Sequence, residues 1–157
     1  MMLWDAVARL ALAALLGAVL GFEREVSQKP AGLRTNILIT LGSALFTIMS
    51  IELAAPQADP TRIAAQVVTG VGFLGGGAIL RTAGDVRGLT TAATIWLNAA
   101  VGVAAGGGAF RIAVVTTVLA LLVLTLLKPL ERHVELRERR RQLDEDPGDR
   151  LIDAGRE

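Results

Sequence analysis

Residues 62–108 read RIAAQVVTGVGFLGGGAILR, then TAGDVR, then GLTTAATIWLNAAVGVAAGGG. Two glycine-rich apolar runs flank a short charged loop. Arg62, Gln66, Arg81, Asp85, Arg87, Thr90 and Thr91 stand within or beside them. A soluble domain leaves such groups in water at little cost. A bilayer does not, because every polar group inside it needs a partner. The composition favours the bilayer: 52% of the 157 residues are hydrophobic and the mean hydropathy is +0.52, too apolar for an ordinary soluble domain of this size.

Working outward, four more apolar or charged stretches complete the chain. The apolar runs predict spans over about residues 3–22, 33–53, 63–80, 91–107 and 111–127. The first is not a secretory signal, since no Lys or Arg precedes it and Arg9 interrupts it. Trp4 suits an interfacial anchor, and Pro30 with Gly32 marks a turn. Asp59 or Thr61 is the expected cap of the third helix, and Thr90 or Thr91 of the fourth.

Charge sets the orientation. Arg24, Lys29, Arg34, Arg81, Arg87, Lys128, Arg132, Arg137, Arg139, Arg140 and Arg141 fall on one side, and Arg9, Arg62 and Arg111 on the other. Eleven against three places the N-terminus outside and the C-terminus in the cytoplasm. The expected fold class is thus an all-α membrane protein with five transmembrane helices. Residues 1–128 form the membrane domain. Residues 129–157 form a charged cytoplasmic tail, helical at first and then disordered, with the basic run of 137–141 near lipid head groups.

Composition also excludes. Without cysteine there is no disulfide, thiolate zinc site or cysteine nucleophile. The single histidine, His133, lies in the tail, which removes histidine-rich metal sites and disfavours a Ser-His-Asp triad. No nucleophile, base and orienting group assemble at one membrane face, so no enzyme is expected. A net charge of +1 gives no reason to expect nucleic acid.

Gly70, Gly72 and Gly75 match the dinucleotide fingerprint in letters only, for no strand–helix unit surrounds them. Packing explains the glycines better. Gly17 with Gly21, Gly72 with Gly76, and Gly102 with Gly106 are G-x-x-x-G pairs, which let helices approach closely and predict a homo-oligomer, a dimer first of all. Gly75 to Gly77 carry a second reading, a weakened helix whose free carbonyls line a polar cavity. Glu23 and Arg34 either pair across the first hairpin or belong to a cytoplasmic polar pocket with Arg81, Asp85, Arg87 and Thr90. A helix N-terminus beside Arg87 favours an anion or carboxylate. Gln66 and Asn98 stand inside spans, where amides bond across helices. No acidic residue lies near the centre of any span, which weakens a simple cation path.

Four blocks, GFERE at 21–25, KPAGLRTN at 29–36, the 62–81 run, and VRGLTTAATIW at 86–96, occur in order over about residues 10–127. Together they resemble the MgtC/SapB family of bacterial inner-membrane proteins. The resemblance implies a five-span domain, a role in growth at low Mg²⁺ and, in some pathogens, survival inside host cells. It implies a modulator of a membrane partner, such as an F-type ATP synthase or a Mg²⁺ transporter. The alternative is a carrier or channel for Mg²⁺ or another small solute, its path running past Gln66, Asn98 and Gly75 to Gly77. Mg²⁺ is the one ion in view, with no ligands assigned. The family motifs fall on Glu23, Arg24, Arg34, Thr35, Arg62, Gln66, Arg87, Thr90 and Thr91. Longer members carry a soluble C-terminal domain resembling an ACT fold, for which the residues after Lys128 are too few.

Overall fold

A computed structural model describes residues 2–55, 59, 61–82 and 85–128, with Asp85 through its backbone alone. The tail of 129–157 lies outside the described residues. Two compact units divide the chain at Leu121, and the second is described only as the end of the last helix and the two residues after it. The elements are α1 (Leu3–Val26), α2 (Leu33–Glu52), α3 (Arg62–Gly77), β1 (Leu80–Thr82), β2 (Asp85–Arg87), α4 (Leu89–Gly106) and α5 (Phe110–Leu126). Helices α1, α2 and α4 are long and apolar enough to cross a membrane; α5 is apolar but shorter. The 16 residues of α3 reach about 24 Å, short of a hydrocarbon core of about 30 Å.

Small residues make the core. Ala13, Ala44, Val101, Ala105 and Ala113 are fully buried, or nearly so, in one cluster with Leu16. Many large apolar side chains point outward instead, Leu15, Phe22, Leu38, Phe73 and Leu119 among them, while Leu16, Leu20, Ile48 and Ile95 are buried. Lipid tails are as apolar as leucine, so sequestering bulk gains nothing in a bilayer. Close backbone approach is what adds dispersion energy.

Helix α2 receives a glycine face on each side. A Cβ at Gly17 of α1 would fall on the Thr40 hydroxyl and 2.8 Å from the Asn36 carbonyl oxygen. One at Gly21 would lie 2.8 Å from Leu33 Cα. From the other side, a Cβ at Gly102 of α4 would meet the Thr40 carbonyl oxygen, and one at Gly106 would stand 2.5 Å from that of Ala44. Two of the three G-x-x-x-G pairs therefore pack within the chain. Gly72 and Gly76 do not, since added Cβ atoms would meet nothing within 4 Å; Gly75 faces Ala92 of α4 instead.

Between α3 and α4 the charged loop is a two-stranded antiparallel hairpin, with Leu80 opposite Arg87, Arg81 opposite Val86 and Thr82 opposite Asp85. The expectation of a helix to residue 80 is corrected here. Gly75 to Gly77 carry weak helix propensity, and α3 ends on them rather than breaking before them. Leu80, Thr82 and Val86 then suit extended backbone. Gly88 follows with φ 89°, a left-handed conformation, and a Cβ there would collide with the Ala78 carbonyl. Gly88 is also the N-cap of α4, so neither Thr90 nor Thr91 caps that helix.

Three helix ends are closed by side chains from other helices. Glu25 of α1 accepts the Leu33 N–H at the start of α2, at 3.0 Å. Ser50 of α2 accepts the Ile63 and Ala64 N–H groups at the start of α3, at 3.1 and 3.4 Å. Arg9 of α1 donates to the Gly106 carbonyl at the end of α4, at 2.8 Å, and is held by Asp5 at 3.0 Å. Asp59 accepts from the hydroxyl and N–H of Thr61, which hold its carboxyl below the usual carboxylate range, but it does not cap the helix itself. Ser50→Ala removes the bond to two orphan N–H groups, and a loss of about 0.5–2 kcal/mol is expected. Thermal unfolding in detergent checks it; an unchanged midpoint would show that the hydroxyl contributes nothing.

Candidate functional site

At one end of the bundle the C-terminus of α1 meets the N-terminus of α4. Glu23 and Arg24 end a run of apolar residues, and both side chains are buried at helix positions that face inward. Arg24 Nη1 lies 3.8 Å from Glu23 Oε2, and Arg24 Nη2 donates to Thr91 Oγ1 at 3.3 Å. Ser27 Oγ donates to Glu23 Oε1 at 2.8 Å. An ion pair this buried survives only because its charges are mutual and hydrogen-bonded. The Glu23–Arg34 pairing considered from sequence does not form: Glu23 binds Ser27 and Arg24, and Arg34 is exposed.

A second polar knot lies beside it. Asn98 Nδ2 of α4 donates to Asn36 Oδ1 of α2 at 2.6 Å and to the Thr94 carbonyl at 3.0 Å. Asn36 Nδ2 in turn donates to the carbonyls of Ala31 and Gly32. Both amides are fully buried. Asn36 thus ties α4 to the α1–α2 turn, where Gln28 and Ala31 adopt φ 51° and 57°. Such left-handed residues persist only when their surroundings hold them.

Around these buried groups stands an exposed rim. Arg34, Thr35 and Thr90 begin α2 and α4, and Arg81 and Arg87 lie on the hairpin, all exposed. Asp85 occupies the hairpin position opposite Thr82. Guanidinium groups on a fixed frame suit carboxylate or phosphate partners through charge-assisted bonds. Arg62 and Gln66 do not join this face. They sit on the first turns of α3, beside the end of α2 that carries Ser50. Gln66 is exposed, whereas Asn98 is buried between α2 and α4. Among the described residues, no group of three Asp, Glu or His side chains is placed to hold a metal ion.

Sequence reading assigns Arg9, Asn36, Ser50 and Gly88 no partner within the bundle. A signal existed for three of them. Arg9, Asn36 and Ser50 are polar residues inside or at the edge of apolar helices, each needing a partner across the bundle. Gly88 gave none, for its need arises from the carbonyl of Ala78 across the hairpin.

Long apolar helices, small-residue seams and buried amide and ion-pair contacts define a helical membrane protein. The chain belongs to the MgtC family, whose family model matches residues 10–133. It is 46% identical to Protein MgtC of Brucella abortus (strain 2308) over 144 residues, covering 89% of this chain and 60% of that protein. It is 44% identical to Protein MgtC of Salmonella typhimurium (strain 14028s / SGSC 2262) over 134 residues, covering 85% and 57%. An uncharacterized protein of Synechocystis sp. is 46% identical over 130 residues, covering 83% and 55%. The chain therefore spans somewhat more than half the length of these curated relatives. No solved structure matches it.

Proposed function

We propose that this is a multi-pass protein of the bacterial inner membrane that supports growth at low Mg²⁺ by acting on a membrane partner. In this reading all five helices span, the N-terminus is outside, and the partner meets the cytoplasmic rim of Arg34, Arg81, Arg87 and Thr90. The relatedness to two proteins named MgtC at 44–46% identity carries the reading. Geometry supports it further. The Arg24–Thr91 bond joins the end of α1 to the start of α4, so the basic residues flanking those ends share one side. Short α3 spans together with the hairpin, and its first N–H groups are met by Ser50 of α2. The chain is not an enzyme in this reading, and Mg²⁺ need not bind it directly.

The test is complementation. A bacterial strain lacking its own family member is grown at low Mg²⁺ with the full chain supplied. Wild type is expected to restore growth, and Arg81→Ala with Arg87→Ala to fail while reaching the membrane at wild-type level. Normal growth of that double variant would remove the rim as the working surface. In a parallel assay with purified protein in vesicles holding a Mg²⁺ dye, no flux above empty vesicles is expected; robust flux would replace the modulator with a carrier.

A further inference from the structure

Between α2 and α3 runs an open groove of about 880 Å³, walled by apolar side chains such as Ile39, Phe46, Val67 and Leu74. Along α3 it extends from Ile63 to Ala78, about 22 Å of helix, which exceeds the roughly 15 Å depth of one bilayer leaflet. Gly42 and Gly70 widen it, because a Cβ on either would meet nothing within 4 Å.

The groove shares Ile63 and Gln66 with a smaller hollow of about 400 Å³ at the start of α3, which Ser50, Asp59 and Arg62 line together with Leu53 and Ala54. Three chemistries therefore succeed one another along one helix face, since Arg62, Gln66 and Gly70 are each four residues apart. First comes one positive and one negative side chain, both exposed and close enough to interact. Next comes a carboxamide, able to donate and accept. Last comes a hydrocarbon-lined channel. Asp59 and Arg62 make no direct salt bridge among the described residues, so both charges remain available at the mouth.

We propose that this groove holds a single phospholipid with an amine-bearing zwitterionic headgroup, such as phosphatidylethanolamine. Its phosphate faces Arg62, its ammonium faces Asp59, its ester carbonyls reach Gln66, and an acyl chain lies past Gly70 between α2 and α3. The paired charges select this headgroup over a purely anionic one, which Asp59 repels. The inference rests on the chain's being a membrane protein and not on its role in Mg²⁺ supply.

Native mass spectrometry of the full chain tests it, after release from membranes into mild detergent and equilibration with phosphatidylethanolamine or phosphatidylglycerol. One bound phosphatidylethanolamine per chain is expected, retained about ten-fold better than phosphatidylglycerol. A Cβ at Gly70 would meet nothing within 4 Å, so Gly70→Leu projects bulk into the groove and improves helix propensity, and it is expected to keep the fold and lose the lipid. Asp59→Asn is expected to keep a lipid but erase the headgroup preference. Equal retention of both lipids by wild type overturns the proposal. So does lipid retention unchanged in Gly70→Leu, or a dimer mass without lipid, which would assign the groove to a second copy.

Discussion

Replacing Arg24 with Met is expected to cost about 3–5 kcal/mol, the largest loss from any single side chain in the buried site. The Glu23 carboxylate would stay buried, with Ser27 as a hydrogen-bonding neighbour but without the Arg24 guanidinium, and Thr91 would lose that guanidinium across the α1–α4 contact. Removing both charges together is a different matter. Glu23→Gln with Arg24→Met leaves no stranded ion, and buried ion pairs are often replaced by neutral groups at little net cost. The double variant is therefore expected to recover most of the stability that Arg24→Met loses. Denaturation of the purified proteins in one detergent, run as a double-mutant cycle, measures both. A single-variant loss below about 1 kcal/mol, or a double variant no better than the single, would show that the Glu23–Arg24 pair does not stabilise the fold as an ion pair. If the refolded double variant still fails to support low-Mg²⁺ growth, the charges serve the partner as well as the fold.

Gly102→Leu is the second large effect. Its Cβ would enter the Thr40 carbonyl and approach Ser43 Cβ to 2.7 Å, and neither neighbour is the end of a flexible chain. Helices α2 and α4 must separate. One turn away, the Asn98–Asn36 bond of 2.6 Å depends on that spacing. Overpacking costs about 1–3 kcal/mol and a broken interhelical amide bond about 0.6–1.7. The sum is enough to expect poor accumulation in membranes and a markedly lower unfolding midpoint. Gly72→Leu is the matched control, the same change in the same motif. Its Cβ would meet nothing within 4 Å, so stability within about 0.5 kcal/mol of wild type is expected. Equal losses in the two variants would refute the assignment of glycine seams to α2.

The contrast between Gly102 and Gly72 also shows where sequence was legible. Apolar runs marked all five helices to within a few residues, and three of these helices are long and apolar enough to cross a membrane. The motif G-x-x-x-G was equally visible at all three sites, yet spacing alone does not say which neighbour fills the notch. That answer depends on α2 lying between α1 and α4. The hairpin at 80–87 was hidden for a related reason. Its residues are too few for a period-two pattern, and it is held in place by Gly88 against Ala78. For the candidate site, motif residues Glu23, Arg24 and Thr91 do converge, though as a buried knot. Arg62 and Gln66, in the same motifs, serve the other end of the bundle.

The closures of the helix ends share a direction along the chain. Glu25 precedes the α2 start that it binds, Ser50 precedes the α3 start, and Arg9 precedes the α4 end. A chain is made from its N-terminus at about 5–20 residues per second, so each of these side chains leaves the ribosome before the backbone groups it will satisfy. Every one of these three helix ends thus emerges to find its partner already synthesised. The order of translation and the order of satisfaction coincide, and the growing protein need not leave those exposed amides or carbonyls waiting in lipid for a helix not yet made.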